Sequence, residues 1–149
     1  LKKYGEEKFA RRIASAIVET RSKREIKETS DLAEIISNAI PLKEKNKHPA
    51  TRSFQAIRIC INDELQAIER GLQGAVSVLA LGGRLSVISF HSLEDRIVKR
   101  AFKELYQNDR DKFKIHTKRP LTAGEKELSV NPRSRSAKLR VIQKLMLNS

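Results

Sequence analysis

The first half of the chain carries apolar residues three and four positions apart, and the second half carries short apolar runs set between polar turns. In KYGEEKFARRIASAIVET, Phe9, Ile13, Ala16 and Ile17 recur at helical spacing while Lys8, Arg11, Arg12 and Glu19 occupy other faces. That pattern predicts an amphipathic helix, and Leu1 already stands in a helix-like stretch. A charged linker, RSKREIKE, follows. A second helix starts near Ser30 or Asp31, places Leu32, Ile35, Ile36 and Ala39 on one side, and stops at Pro41, whose ring cannot continue a helix. The polar loop KEKNKH then sets these two helices apart as a small unit. Pro49 suits a first helical turn, and after it Phe54, Ile57, Ile61, Leu65, Ile68 and Leu72 step by three or four, which predicts one long helix. At about 100° per residue Ile59 lies nearly opposite that stripe and Arg58 at its edge, so the start of this helix is expected to be covered on two sides.

The pattern changes at GGRLSVISFHSLEDR. Gly82-Gly83 reads as a turn, and Leu85, Val87, Ile88 and Phe90 predict a strand over Arg84–Phe90, buried on both faces as in parallel sheets. SLEDRIVKRAFKELY predicts a helix with Ser92 as its N-cap and Glu94 and Asp95 complementing the dipole in its first turn. Ile97, Val98, Ala101, Phe102 and Leu105 face inward. FKIHTK reads as a strand, Arg119 to about Ser136 as a loop rich in Pro, Gly and charge, and AKLRVIQKLML as a final strand. No internal repeat is present. Two closing strands with no helix between them pair antiparallel. The fold class is therefore α/β, with a sheet mainly parallel but for an antiparallel edge. Such a sheet needs more strands than these, and its partners are expected in sequence before Leu1.

Composition sharpens this picture in one respect. The 149 residues contain 31 Lys and Arg against 18 Asp and Glu, a formal net charge of +13. An excess of that size favours a polyanionic partner, because each neutralised phosphate releases counterions. No apolar run approaches the length of a membrane-spanning helix and no secretory signal pattern stands at the start, so nucleic acid outweighs a membrane surface. The single cysteine, Cys60, forms no internal disulfide, which points to the cytoplasm. The basic residues concentrate in NPRSRSAKLR, where Arg133, Arg135, Lys138 and Arg140 stand in a stretch without acids from Ser129 to Ser149. With five Phe and two Tyr, an aromatic stacking platform is not expected.

Other chemistries find little support. Ser89, His91, Ser92 and Asp95 sit too close in sequence for a hydrolase triad, whose members converge from separate segments, and no G-x-S-x-G elbow is present. His91 with Glu94 invites a metal, but His48 and His116 lack ligand spacing around them, and no metal is assigned. GLQGAV and LGGRLS do not form a G-x-G-x-x-G loop between strand and helix.

Three segments, HPATRSFQAIRICINDEL, GGRLSVISFHSLEDRIVKRAF and NPRSRSAKLR, resemble signature blocks of the RsmH (MraW) family, and YGEEKFARRIASAIV is similar to it as well. That family methylates the N4 amine of a cytosine in the decoding region of small-subunit ribosomal RNA, using S-adenosylmethionine. The resemblance implies that the chain corresponds to the carboxyl-terminal part of such an enzyme. Residues 1–47 would belong to its helical insertion, and 48–149 to the second half of a Rossmann-like class I methyltransferase sheet. Arg84–Phe90 would be the fifth strand, and the closing strands the sixth and the antiparallel seventh. The donor-binding loops would lie upstream, leaving no cofactor-binding residue here. The same resemblance implies an RNA-side wall in which His91 and Ser92 offer hydrogen bonds near the target base. Arg52, Arg58, Arg133 and Arg135 would hold RNA phosphates or the wall itself, and no catalytic residue is assigned. The implied partner is small-subunit ribosomal RNA or the small ribosomal subunit, with homo-oligomerisation left open. A non-catalytic RNA-binding or ribosome-associated module is the alternative reading.

Overall fold

The computed structural model describes residues 1–42 and 48–146. The KEKNKH loop expected between the helical unit and the rest falls almost wholly on residues 43–47, outside the described residues. The chain divides into two compact units, Leu1–Glu64 and Leu65–Ser149.

The first unit is helical: α1 (Lys2–Gly5), α2 (Ala10–Lys23), α3 (Thr29–Ala39) and α4 (Thr51–Ile61). The apolar stripes read from the sequence turn inward as expected. Ile13 of α2 and Ile36 and Ala39 of α3 are buried with Ile40 and Ala50, and Phe9, Ala16, Ile17, Leu32 and Phe54 pack against them. α3 stops before Pro41 as predicted, and Ile40, held in extended backbone by the proline after it, sits at φ −94°, ψ 115°. The helical stretch at the start is interrupted. Glu6 takes a left-handed conformation with φ 49°, and the buried Glu7 accepts a hydrogen bond from the Phe9 backbone N–H at 3.0 Å. Only from Ala10 does the helix run on.

The single long helix predicted after Pro49 is two helices. α4 ends at Ile61 and α5 runs over Glu64–Val78, with Asp63 between them in the left-handed region at φ 49°. Asn62 closes α4 through its N–H to the Arg58 carbonyl. Arg58 bridges the corner, donating from Nε and Nη2 to the two Glu64 carboxylate oxygens at 2.7 and 3.0 Å. The stripe misled because it continues in step through both helices, while α4 turns a different face inward. Ser53, Ala56 and Ile59 are buried, and Ile61, on the expected stripe, is 76% exposed. The sequence did hold a signal for the break, since Asn and Asp are the non-glycine residues that best tolerate left-handed backbone. Ile59 is buried, as its place opposite the stripe suggested.

The second unit contains α5, β1 (Arg84–Ser89), α6 (Ser92–Asn108), β2 (Phe113–Ile115), α7 (Glu125–Val130), a 3-10 turn (Pro132–Ser136) and β3 (Lys138–Lys144). Gly82 at φ 77° makes the turn into β1. Among the described residues the sheet has the order β1-β3-β2. Both pairings are antiparallel, with Ser89 opposite Lys138 and Phe113 opposite Lys144. The closing strands pair as predicted, but the mainly parallel sheet does not form among these residues, because β3 lies between the two strands that run in the same direction. Nor is β1 buried on both faces. Leu85 and Val87 join the core of Leu72, Val98, Phe102, Phe113 and Ile142 built with α5 and α6, whereas Arg84 and Ser86 are exposed and Ile88 is 59% exposed. The segment expected as one loop over 119–136 holds α7, the 3-10 turn and a bridge from Leu121 to Leu139. No helix of the described residues is long and apolar enough to cross a membrane.

Candidate nucleic-acid interface

Antiparallel register builds this site. Because Ser89 at the end of β1 is opposite Lys138 at the start of β3, the turn leaving β1 and the turn entering β3 lie at one end of the sheet. The first turn carries His91 and Ser92, and the second is the 3-10 turn carrying Arg133 and Arg135. Two segments more than forty residues apart in sequence thus become neighbours through strand pairing. Ser89 is buried, and its hydroxyl reaches the Lys138 carbonyl at 3.5 Å.

The first turn is a capping box, and its N-cap is His91 where the sequence predicted Ser92. His91 is extended (φ −137°, ψ 167°) and its Nδ1 accepts from the Glu94 N–H at 3.4 Å. Glu94 returns the bond, its Oε2 accepting from the backbone N–H groups of Phe90 at 2.8 Å and His91 at 3.2 Å. His91 Nε2 is enclosed 3.3 Å from Glu94 Oε1. Serine is the stronger cap by type, so sequence reasoning favoured it. A histidine serves because a neutral imidazole offers one acceptor nitrogen when the other carries the proton. Ser92 is the first residue of α6 and is exposed.

Asp95, also in the first turn of α6, faces the strand. Its carboxylate receives Arg140 Nε at 2.7 Å and Nη2 at 3.1 Å, with Lys138 Nζ at 3.9 Å. The hydrogen bond from Arg140 holds the Asp95 carboxyl below its ordinary value, against the raising effect of burial. Sequence reasoning missed this pair, assigning Asp95 to the helix dipole and Arg140 to a basic stretch. A signal existed: Arg140 has the same strand parity as the fully buried Ile142, and a charge on the inward side of a strand requires a buried partner. Arg133 and Arg135 are exposed, while Ser134 between them is buried with its hydroxyl donating to the Asn131 carbonyl at 2.7 Å. The alternation anchors the turn and presents its two cations outward.

The other predicted residues belong to the first unit. Arg52 and Arg58 are on α4 in the first unit, Arg58 bound to Glu64. The remaining histidines have local partners. His48 Nδ1 accepts from the Ala50 N–H at 3.2 Å, and His116 Nε2 lies 2.7 Å from Gln143 Oε1. The glycines serve turns and helices. A Cβ on Gly83 would meet the Ala80 carbonyl at 2.8 Å and the Leu79 side chain at 3.0 Å. One on Gly82 would meet Met146, and Gly71 and Gly74 lie within α5 with nothing near them.

The chain matches the MraW methylase family over residues 1–145. It is 51% identical over 160 residues to the ribosomal RNA small subunit methyltransferase H of Geobacter sp. (strain M21), covering 97% of this chain and 51% of that protein. The protein of the same name from Methylococcus capsulatus is 53% identical over 154 residues, with 97% and 51% covered. That of Persephonella marina is 52% identical over 147 residues, with 97% and 50% covered. The chain spans about half the length of the curated relatives it matches.

Proposed function

The chain belongs to the MraW methylase family, and from that membership we propose that it is part of an enzyme methylating the N4 amine of a cytosine in small-subunit ribosomal RNA, with S-adenosylmethionine as donor. What supports the reading most is the family match along residues 1–145, together with about half identity to relatives named for methylation of this RNA. Residues 1–47 are proposed as part of the helical insertion and 48–149 as the later half of the methyltransferase sheet. The order β1-β3-β2 suits a fifth, seventh and sixth strand. No residue of this chain is assigned to the donor, and no step is routed through it.

The task left to this chain is the RNA side. A base that undergoes chemistry must be taken out of its stack and held in a fixed orientation, which puts the demand on positioning. Arg133 and Arg135 are proposed to bind phosphates, Ser92 to face the target base, and His91 to act through the cap that shapes the turn. Arg52 is proposed as a further phosphate contact, while Arg58 is bound to Glu64. The proposed partner is small-subunit ribosomal RNA or the small subunit, in the cytoplasm.

The test uses the complete protein. Replacing both Arg133 and Arg135 with alanine is expected to raise KM for the RNA by about tenfold to a hundredfold, on the order of one to two phosphate contacts, with donor affinity unchanged. His91→Ala is expected to lower thermal stability together with methyl transfer. An unchanged KM in the arginine variant would remove the RNA role from the 3-10 turn, and a lost donor affinity would move this end of the sheet to the donor side.

A further inference from the structure

Asp95 sits on α6, but what it binds is the strand beside it. Two prongs from Arg140, at 2.7 and 3.1 Å, fix both the distance and the plane of the contact, and Lys138 lies 3.9 Å from the second oxygen. Arg140 is 5% exposed. A pair buried to this degree is poor evidence of net stability, because apolar residues of similar volume often do as well. What such a pair can supply is one arrangement in place of several.

The arrangement it selects here has a consequence for binding. α6 begins at the His91–Ser92 turn, and β3 begins directly after the Arg133–Arg135 turn. Asp95 makes a side-chain link between these two starts, beside the weak Ser89 contact to the Lys138 carbonyl. Its charge also draws Lys138 and Arg140 inward, so that the exposed cations of PRSRSAKLR are Arg133 and Arg135.

We propose that Asp95 is a positioning residue for RNA binding, locking the His91–Ser92 turn to the Arg133–Arg135 turn through Arg140 and Lys138 so that both present one fixed surface to an RNA backbone. This rests on the RNA-facing reading of those turns. Two flexible turns would each bind phosphate weakly and independently. Held in register, they meet a backbone together and lose less freedom on binding.

The experiment is a double-mutant cycle on this chain, read as affinity for a small-subunit ribosomal RNA fragment across a salt series and corrected for the folded fraction by circular dichroism. One arm is Asp95→Asn, and the other is Arg133→Ala with Arg135→Ala. Asp95→Asn is expected to weaken binding about tenfold and to flatten the salt slope by about one unit, as for a lost phosphate contact. In that background the arginine substitutions are expected to cost clearly less than in the wild type, because arginines already out of place have less to lose. Arg140→Lys, which keeps the charge and loses the second prong, carries the same cycle if Asp95→Asn fails to fold. An additive cycle, with only the melting temperature lowered, would reduce Asp95 to a staple of the fold. If the arginine substitutions leave wild-type affinity and slope unchanged, the RNA-facing reading itself fails, and the positioning role falls with it.

Discussion

The depressed pKa of Asp95 makes its pairing visible to acid. The Arg140 hydrogen bond is the main cause of the lowering, and burial opposes it. A carboxyl whose pKa falls on folding contributes stability that is fully present above its unfolded value, here near 3.8, and is lost as pH drops through the folded value. Unfolding free energy followed below about pH 4 should therefore decline more steeply in the wild type than in Asp95→Asn, measured by denaturant titration at each pH. Parallel curves would mean that the pair contributes nothing to folding. Glu19 and Asp109 are also lowered, by Lys23 and Lys112, but these pairs are on the surface and screened, and they are common to both proteins. His91 shows the opposite problem of reading. Its type and place at the end of a strand pointed to ligand chemistry, whereas its Nδ1 is committed to the helix it caps.

At the scale of elements, close approach decides more than periodicity does. A Cβ on Gly5 would lie 2.5 Å from the Arg52 carbonyl oxygen and 3.2 Å from Ala56, so α1 meets α4 where only a glycine fits. Gly5→Ala is expected to cost about 1–3 kcal/mol as overpacking against a backbone atom that cannot move alone. Gly71 supplies the control: it is in α5 with nothing within 4 Å, and Gly71→Ala should gain about 0.5–1 kcal/mol from helix propensity. Denaturant unfolding of the two variants checks both signs, and a neutral Gly5→Ala would contradict the α1–α4 contact. The same contact accounts for the inward face of α4. Ser53, Ala56 and Ile59 are the residues buried on α4, and the small Ala56 is the side chain that lies against Gly5. A stripe counted along the sequence weighs apolar residues only, and so it passed over Ser53 and favoured Ile61.

For the whole molecule, the charge of +13 suits the proposed RNA-side role, and that proposal also makes a claim about the donor. Titration of S-adenosylmethionine into this chain in a calorimeter is expected to give no saturable heat, and a micromolar site would overturn the assignment of this part to the RNA. The sequence alone determined the α2 and α3 helices of the first unit, the Pro41 stop, the glycine turn into β1, the α6 helix and the antiparallel closing pair. Except for the closing pair, each depends on neighbours within a few turns of chain, where 3.6-residue and two-residue periods are set locally. The His91 and NPRSRS segments could also be picked out, because their composition departs from that of their surroundings. Tertiary structure decided the rest: the break at Asn62–Asp63, the bare second face of β1, the cap at His91, and the union of two basic and polar turns at one end of the sheet. Asp95 and Arg140 are 45 positions apart, and their meeting depends on the register of β1 against β3. A period along the chain records which side of an element avoids water, but it carries no information on which residue comes to face it.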